Sequence, residues 1–194
     1  MKIAIFGTSA DPPTIAHKTI LDYLSQKYDL IAVYASDNPF KESQKSLYHR
    51  TKMLALLIEE LNQESINNNV ELATDIGDRR TIYTIEKAKK KWGQKADLTF
   101  VIGSDLAPQI FSWYEAKKLW SQVKVLILPR QGYTIDIATQ KKLDQFTLGY
   151  TLAEYPLPPV SSTEYRQSQN EEILSPKVKS YIQTHNLYTI DPAD

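Results

Sequence analysis

The chain has 194 residues, 42% hydrophobic and 24% charged, a composition that suits a globular protein able to bury a core without disulfides or a structural metal. Its 23 basic and 23 acidic residues leave no formal net charge, so nothing predicts a nucleic-acid or membrane partner, since both ask for a basic excess or patch. Cysteine is absent, which excludes a disulfide framework, a thiolate nucleophile and a cysteine zinc site and makes the cytoplasm the expected compartment.

Lys2 to Phe6 is a short apolar run stopped by Gly7 and predicts a buried strand. It is too short to be expected to act as a signal peptide or a membrane span, the latter needing about 20 apolar residues. After the turn-rich stretch Gly7 to Pro13, apolar residues Ile15, Ile20, Leu21 and Leu24 fall near helical spacing over Thr14 to Lys27. Leu30 to Tyr34 is a second strand, which completes a βαβ unit.

The alternation continues with a helix over Leu47 to Leu61, a strand over Val70 to Ala73, and a helix over Thr81 to Trp92 ended by Gly93. A strand over Leu98 to Ile102 ends at Gly103, a short helix covers Tyr114 to Trp120, and Val123 to Leu128 is a strand stopped by Pro129. Thr147 to Tyr155 reads as a last strand, and Ser161 to Glu172 and Pro176 to Thr184 as terminal helices. The expected fold is α/β, a Rossmann-like parallel sheet with helices on both faces. It is expected to form one domain over residues 1–190, its helical C-terminal part lying at about 161–186. Ligands of such sheets bind beyond the carboxyl ends of the strands, where strand order reverses.

Two segments suggest chemistry there. In Gly7-Thr8-Ser9-Ala10-Asp11-Pro12-Pro13-Thr14-Ile15-Ala16-His17, Gly7 permits a tight turn. Thr14 and His17 share the first-turn face of the following helix, whose free N–H groups favour anions. Taken alone, His17 is more readily an ordinary surface or core histidine. In Val160-Ser161-Ser162-Thr163-Glu164-Tyr165-Arg166, the hydroxyl residues suit a helix start, and Arg166 one turn along can fork onto phosphate oxygens.

Together these segments resemble the (H/T)xGH nucleotidyltransferase superfamily. Within it they are similar to the bacterial nicotinate-nucleotide adenylyltransferases, whose motifs read GGTFDPxHxGH and ISSTxxR. The chain departs from the first motif at Phe6, at the extra residue in Ser9-Ala10, at Thr14 and at Ala16. The resemblance implies a sheet of nucleotidyltransferase type, catalytic Thr14, His17 and Arg166, and an ATP site of Gly7, Thr8, Gly103, Asp105, Ser161, Ser162 and Thr163. It implies a mononucleotide site of Lys41, Tyr83, Thr84, Trp113 and Arg130, with the Tyr83 and Thr84 amides on the pyridine carboxylate and Trp113 stacked on its ring. Arg50 is a further candidate phosphate contact. For Lys41 and Arg50 a solvated loop or helix face is the other reading, and for Trp113 the core.

The implied partners are ATP and nicotinate mononucleotide, with Mg²⁺ arriving on ATP and no metal ligand from the protein. A nicotinamide-preferring or dual-specificity enzyme, a phosphopantetheine adenylyltransferase, a cytidylyltransferase and a non-catalytic nucleotide sensor stay open as alternatives. Oligomeric state also stays open, as does closure of the polar 38–48 loop over substrate.

Overall fold

The computed structural model describes residues 1–37 and 44–189. In chain order the strands are β1 (Lys2–Thr8), β2 (Leu30–Ala35), β3 (Val70–Leu72), β4 (Asp97–Gly103), β5 (Lys124–Leu128) and β6 (Tyr150–Leu152). The helices are α1 (Ile15–Ser25), α2 (Leu47–Glu64), α3 (Thr81–Trp92), α4 (Ala116–Trp120), α5 (Ile137–Phe146), α6 (Ser162–Ser168) and α7 (Pro176–Thr184), with single 3₁₀ turns at Ile110–Ser112 and Glu171–Ile173. Among the described residues no helix is long and apolar enough to cross a membrane.

All the strands pair in parallel, in the order β3-β2-β1-β4-β5-β6. The chain therefore builds outward from β1 through β2 to β3, then crosses back to β4 on the other side of β1. The carboxyl ends of β1 and β4 are neighbours at this reversal, and the connections leaving them part in opposite directions. A crevice results between Thr8 and Gly103, where ligands of such sheets bind.

Both faces of the central strands β1, β2, β4 and β5 are buried, which is why these strands read as continuous apolar runs rather than alternating ones. Ala4 and Phe6 pack with Leu21 and Leu24 of α1, Leu54 and Leu57 of α2 and Val178 of α7. Ile3 and Ile5 point the other way, against Ile82 and Ile85 of α3, Trp120 of α4 and Leu143 of α5. Each of the Val, Leu, Ile and Phe side chains among them contributes roughly 1.5–3 kcal/mol by leaving water.

Four elements differ from expectation. Helix α5 is absent from the sequence reading, because its apolar residues do not form a stripe: Thr139 and Leu143 are buried while Ile137 is 72% exposed. Two signals mark it all the same. Asp136 accepts the Thr139 N–H at 2.7 Å as an N-cap, and a parallel step from β5 to β6 needs a crossover of about a dozen residues. Strand β6 is shorter than Thr147 to Tyr155 because it is an edge strand, paired only through Val125 to Ile127 of β5. The helix expected over Ser161 to Glu172 breaks at Gln169, which takes a left-handed φ of 55°. Likewise Glu115, with φ 52°, delays α4 to Ala116.

Candidate functional site

The β1–α1 connection is held in one conformation by its own side chains. Gly7 lies within β1 opposite Tyr34 of β2 and does not make the turn. The chain turns later, at Ala10 with φ 47° and at the cis Asp11–Pro12 peptide. Gly7 answers instead to a close approach: a Cβ there would lie 2.6 Å from Cζ and Oη of the Tyr34 ring. The Tyr34 ring is buried, and burial pushes its phenol up to about 12.

Thr14 is the N-cap of α1 and is fully buried. Its N–H donates to His17 Nδ1 at 3.0 Å, and its hydroxyl lies 3.1 Å from the same nitrogen. Since Nδ1 accepts a backbone N–H, the ring proton belongs on Nε2, which lies 3.0 Å from Thr8 Oγ1. The half-buried imidazole is thus fixed in both tautomer and direction at the end of β1. The expectation that Thr14 meets phosphate directly is corrected: its burial leaves it orienting His17.

The second segment sits on this loop. Ser162 Oγ donates to the Pro12 carbonyl at 2.8 Å, and Arg166 Nη1 donates to the Asp11 carbonyl at 2.6 Å. Residues 150 and 155 positions apart in the chain are thereby joined. The hydroxyls expected to serve an anion are engaged within the protein. Ser161 Oγ accepts the Glu164 N–H at 3.1 Å, and the Glu164 carboxylate accepts the Ser161 N–H, a capping box. Thr163 Oγ1 accepts from Arg166 Nη2 at 3.1 Å. The Arg166 side chain remains 37% exposed.

Across the crevice, Asp105 folds back toward the end of β4, where a Cβ on Gly103 would collide with its carboxylate. Asp105 Oδ2 pairs with Arg130 Nη1 at 2.6 Å. Ser104 Oγ accepts the Arg130 N–H at 3.0 Å and donates to the Tyr133 carbonyl at 3.1 Å. Asp105 and Arg130, expected at different substrates, are therefore a single ion pair spanning the ends of β4 and β5.

At the start of α3 the N–H groups of Tyr83 and Thr84 both point at the Arg80 carbonyl, at 2.9 and 3.4 Å. This corrects the expectation that they bind a carboxylate. Among the described residues the first-turn amides without a protein acceptor are those of Thr81 and Ile82. The Tyr83 ring lies 6.1 Å from Tyr114, and the Arg80 guanidinium stacks 3.9 Å above the Tyr114 ring. Trp113 is half-buried, edge-on to Phe100 at 6.2 Å and 5.4 Å from Trp120, so it belongs partly to the core and partly to the surface. A cavity of about 370 Å³ opens beside Tyr34, bordered by Asp37, Leu47, Thr74 and Arg79.

Lys41 and residues 38–43 of the loop lie outside the described residues. Arg50 is no phosphate ligand here. It is 2% exposed and gives Nη1 to the carbonyls of Ser9 and Ser36 and Nε to that of Lys45. The sequence reading also passed over the buried Asp11 carboxylate and the Tyr34 ring. Both occupy positions that only pairing between distant segments creates, and the Asp-Pro dipeptide was the one signal for the first.

Residues 5–168 match the cytidylyltransferase-like family. A protein of Synechocystis sp. named "Probable nicotinate-nucleotide adenylyltransferase" is 41% identical over 200 residues, which cover 97% of this chain and 99% of that protein. Among solved structures, Plasmodium falciparum nicotinic acid mononucleotide adenylyltransferase complexed with NaAD is similar at a TM-score of 0.81 and 26% identity, over 96% of this chain and 97% of that one. Its complex with APC is similar at 0.79 and 26%, over 96% of each chain. With the strand order, the crevice at its reversal and the joined motif segments, this full-length likeness identifies the chain as a member of the cytidylyltransferase-like nucleotidyltransferases, in their nicotinate-nucleotide adenylyltransferase branch.

Proposed function

We infer that this enzyme transfers the AMP group of MgATP to nicotinate mononucleotide, giving deamido-NAD and pyrophosphate. The observation that carries the reading is the junction of Arg166 and Ser162 with the Asp11–Pro12 carbonyls. It sets a guanidinium and the directed imidazole of His17 on the same connection at the end of β1.

An oxygen of the mononucleotide 5′-phosphate attacks the α-phosphorus of ATP in line. The bond from that phosphorus to the bridging α–β oxygen breaks, and pyrophosphate leaves with the electron pair. The attacking phosphate is already ionised at neutral pH, so no general base is needed and no covalent enzyme intermediate forms. Catalysis rests on placement and on donors aimed at developing charge. His17 Nε2–H turns from Thr8 Oγ1 to an α-phosphoryl oxygen when ATP binds, while Thr14 holds the ring through Nδ1. Arg166 neutralises the leaving pyrophosphate, with Ser161, Ser162 and Thr163 shaping the turn that carries it.

Magnesium enters as part of the ATP substrate and offsets its phosphate charge. Among the described residues no group of three or more His, Asp or Glu side chains could hold a metal. The Arg130–Asp105 pair and Gly103 border the two nucleotides. Trp113 and Tyr83 offer aromatic faces to the pyridine ring. The nicotinate carboxylate, which nicotinamide lacks, suits the half-buried Thr81 amide at the start of α3. A cytoplasmic location fits a chain without cysteine.

The test is pyrophosphate release from MgATP with nicotinate mononucleotide or nicotinamide mononucleotide as acceptor. Fast release with the nicotinate form alone is expected. Equal release with both removes the carboxylate-capture assignment and keeps the reaction. Release with neither, against turnover with 4′-phosphopantetheine, overturns the substrate assignment.

A further inference from the structure

After α7 the chain turns back toward the β1–α1 connection through two left-handed residues, Asn186 with φ 48° and Tyr188 with φ 60°. A bulky side chain seldom adopts that conformation unless its surroundings hold it there. Here they do. Leu187 and Tyr188 are both buried, and the Tyr188 ring stands edge-on to Tyr165 of α6 at 5.7 Å. Its hydroxyl donates to Asp11 Oδ1 at 2.6 Å, across 177 residues of sequence.

Asp11 is 2% exposed. A carboxylate so far from water depends on the donors around it. Besides Tyr188 these are the Lys45 N–H, 3.2 Å from Oδ1, and Arg166 Nη1, 3.8 Å from Oδ2. The same Arg166 nitrogen holds the Asp11 carbonyl. Three residues further on, Thr14 orients His17. Burial, and then the Asp11 carboxylate, push the Tyr188 phenol well above its ordinary range, so it keeps its proton for this bond.

We propose that Tyr188 is a positioning residue for adenylyl transfer, acting through Asp11 on the placement of His17 and Arg166. The proposal rests on the reading that the connection from Thr8 to His17 carries the reaction. Removing the hydroxyl leaves one carboxylate oxygen short of a buried donor. The connection then shifts to recover one, and a displacement near 1 Å is enough to cost up to about 10²-fold in rate. Arg50, Ser162 and Arg166 still hold other points of it, so Tyr188→Phe is expected to lower kcat about tenfold, with KM for both substrates changed less than about threefold. In an Asp11→Ala background, which lacks the acceptor, the same substitution costs nothing further, because both act through one bond. Amide hydrogen exchange in the segment 8–17 quickens in Tyr188→Phe, a readout independent of turnover.

Ile3→Val, a core change at the start of β1 in the cluster on the opposite face of the sheet, is the control for a merely looser fold and leaves kcat and that exchange unchanged. An unaltered kcat in Tyr188→Phe, or a loss that simply adds to that of Asp11→Ala, overturns the proposal. His17→Ala is measured alongside. Its failure to lose rate overturns the site reading itself, whereas a slow His17→Ala beside a normal Tyr188→Phe overturns only the role of Tyr188.

Discussion

Replacing Gly7 by alanine tests the geometry at the end of β1. The added Cβ would sit 2.6 Å from both Cζ and Oη of Tyr34, well inside ordinary carbon–carbon contact at about 3.5–4.0 Å. Tyr34 has little room to withdraw. Its ring is buried in the core of α3 and β4, and on its other side Gly77 already lies so close that a Cβ there would be 3.0 Å from Cδ2. Backbone or ring must move, and overpacking of this kind costs about 1–3 kcal/mol. For a chain of this size each kcal/mol lowers the unfolding midpoint by roughly 2–4 °C. Thermal unfolding followed by circular dichroism should therefore show Gly7→Ala melting roughly 4–8 °C below wild type for a cost near 2 kcal/mol. Gly77→Ala should lose less, since its neighbour has only to give by a few tenths of an ångström. Gly103→Ala should lose least, because what it meets is the movable Asp105 carboxylate. A Gly7→Ala protein that melts with the wild type, or an order in which Gly77→Ala is the more damaging, refutes the argument that Tyr34 excludes a side chain at position 7.

Other perturbations follow from the same contacts. His17→Ala should lower kcat by about 10²-fold, as loss of a single charge-stabilising donor does elsewhere, and a near-normal rate in steady-state assays sinks the assigned role. It should also cost roughly 1 kcal/mol of stability, because the imidazole caps the Thr14 N–H. Alkaline stability should report Tyr34. Its phenol ionises near 10.0 in the unfolded chain and at about 12 when buried. The unfolded state therefore releases its proton first, and the stability this group contributes is whole below pH 10 and is lost as pH rises toward 12. Tyr34→Phe should flatten the fall in unfolding midpoint over that window, and equal slopes in the two proteins refute the burial argument.

Much of this protein was legible along the chain. Apolar runs buried on both sheet faces announce β1, β2, β4 and β5 without tertiary information. The helical spacing of α3 and its Gly93 stop reproduce its bounds of Thr81 and Trp92. The joined segments around His17 and Arg166 were recognisable because a helix start after a strand is a local pattern. What failed locally was α5, whose few buried residues cover the sheet margin and leave no stripe.

Other features exist only where distant segments meet. Nothing near Gly7 in sequence says that Tyr34 lies over it, since register between β1 and β2 creates that contact. Arg50 looked like a phosphate ligand until three backbone carbonyls took its donors. Asp105 and Arg130 looked like separate ligand contacts until parallel pairing of β4 and β5 set them together. Asp11 and Tyr188 stand at opposite ends of the chain, and only a fold that buries both makes one the other's donor. Periodicity, turn chemistry and helix starts are short-range properties that a sequence carries openly. How a donor or a carboxylate is used depends on which partners burial brings within about 3 Å, and tertiary structure alone decides that.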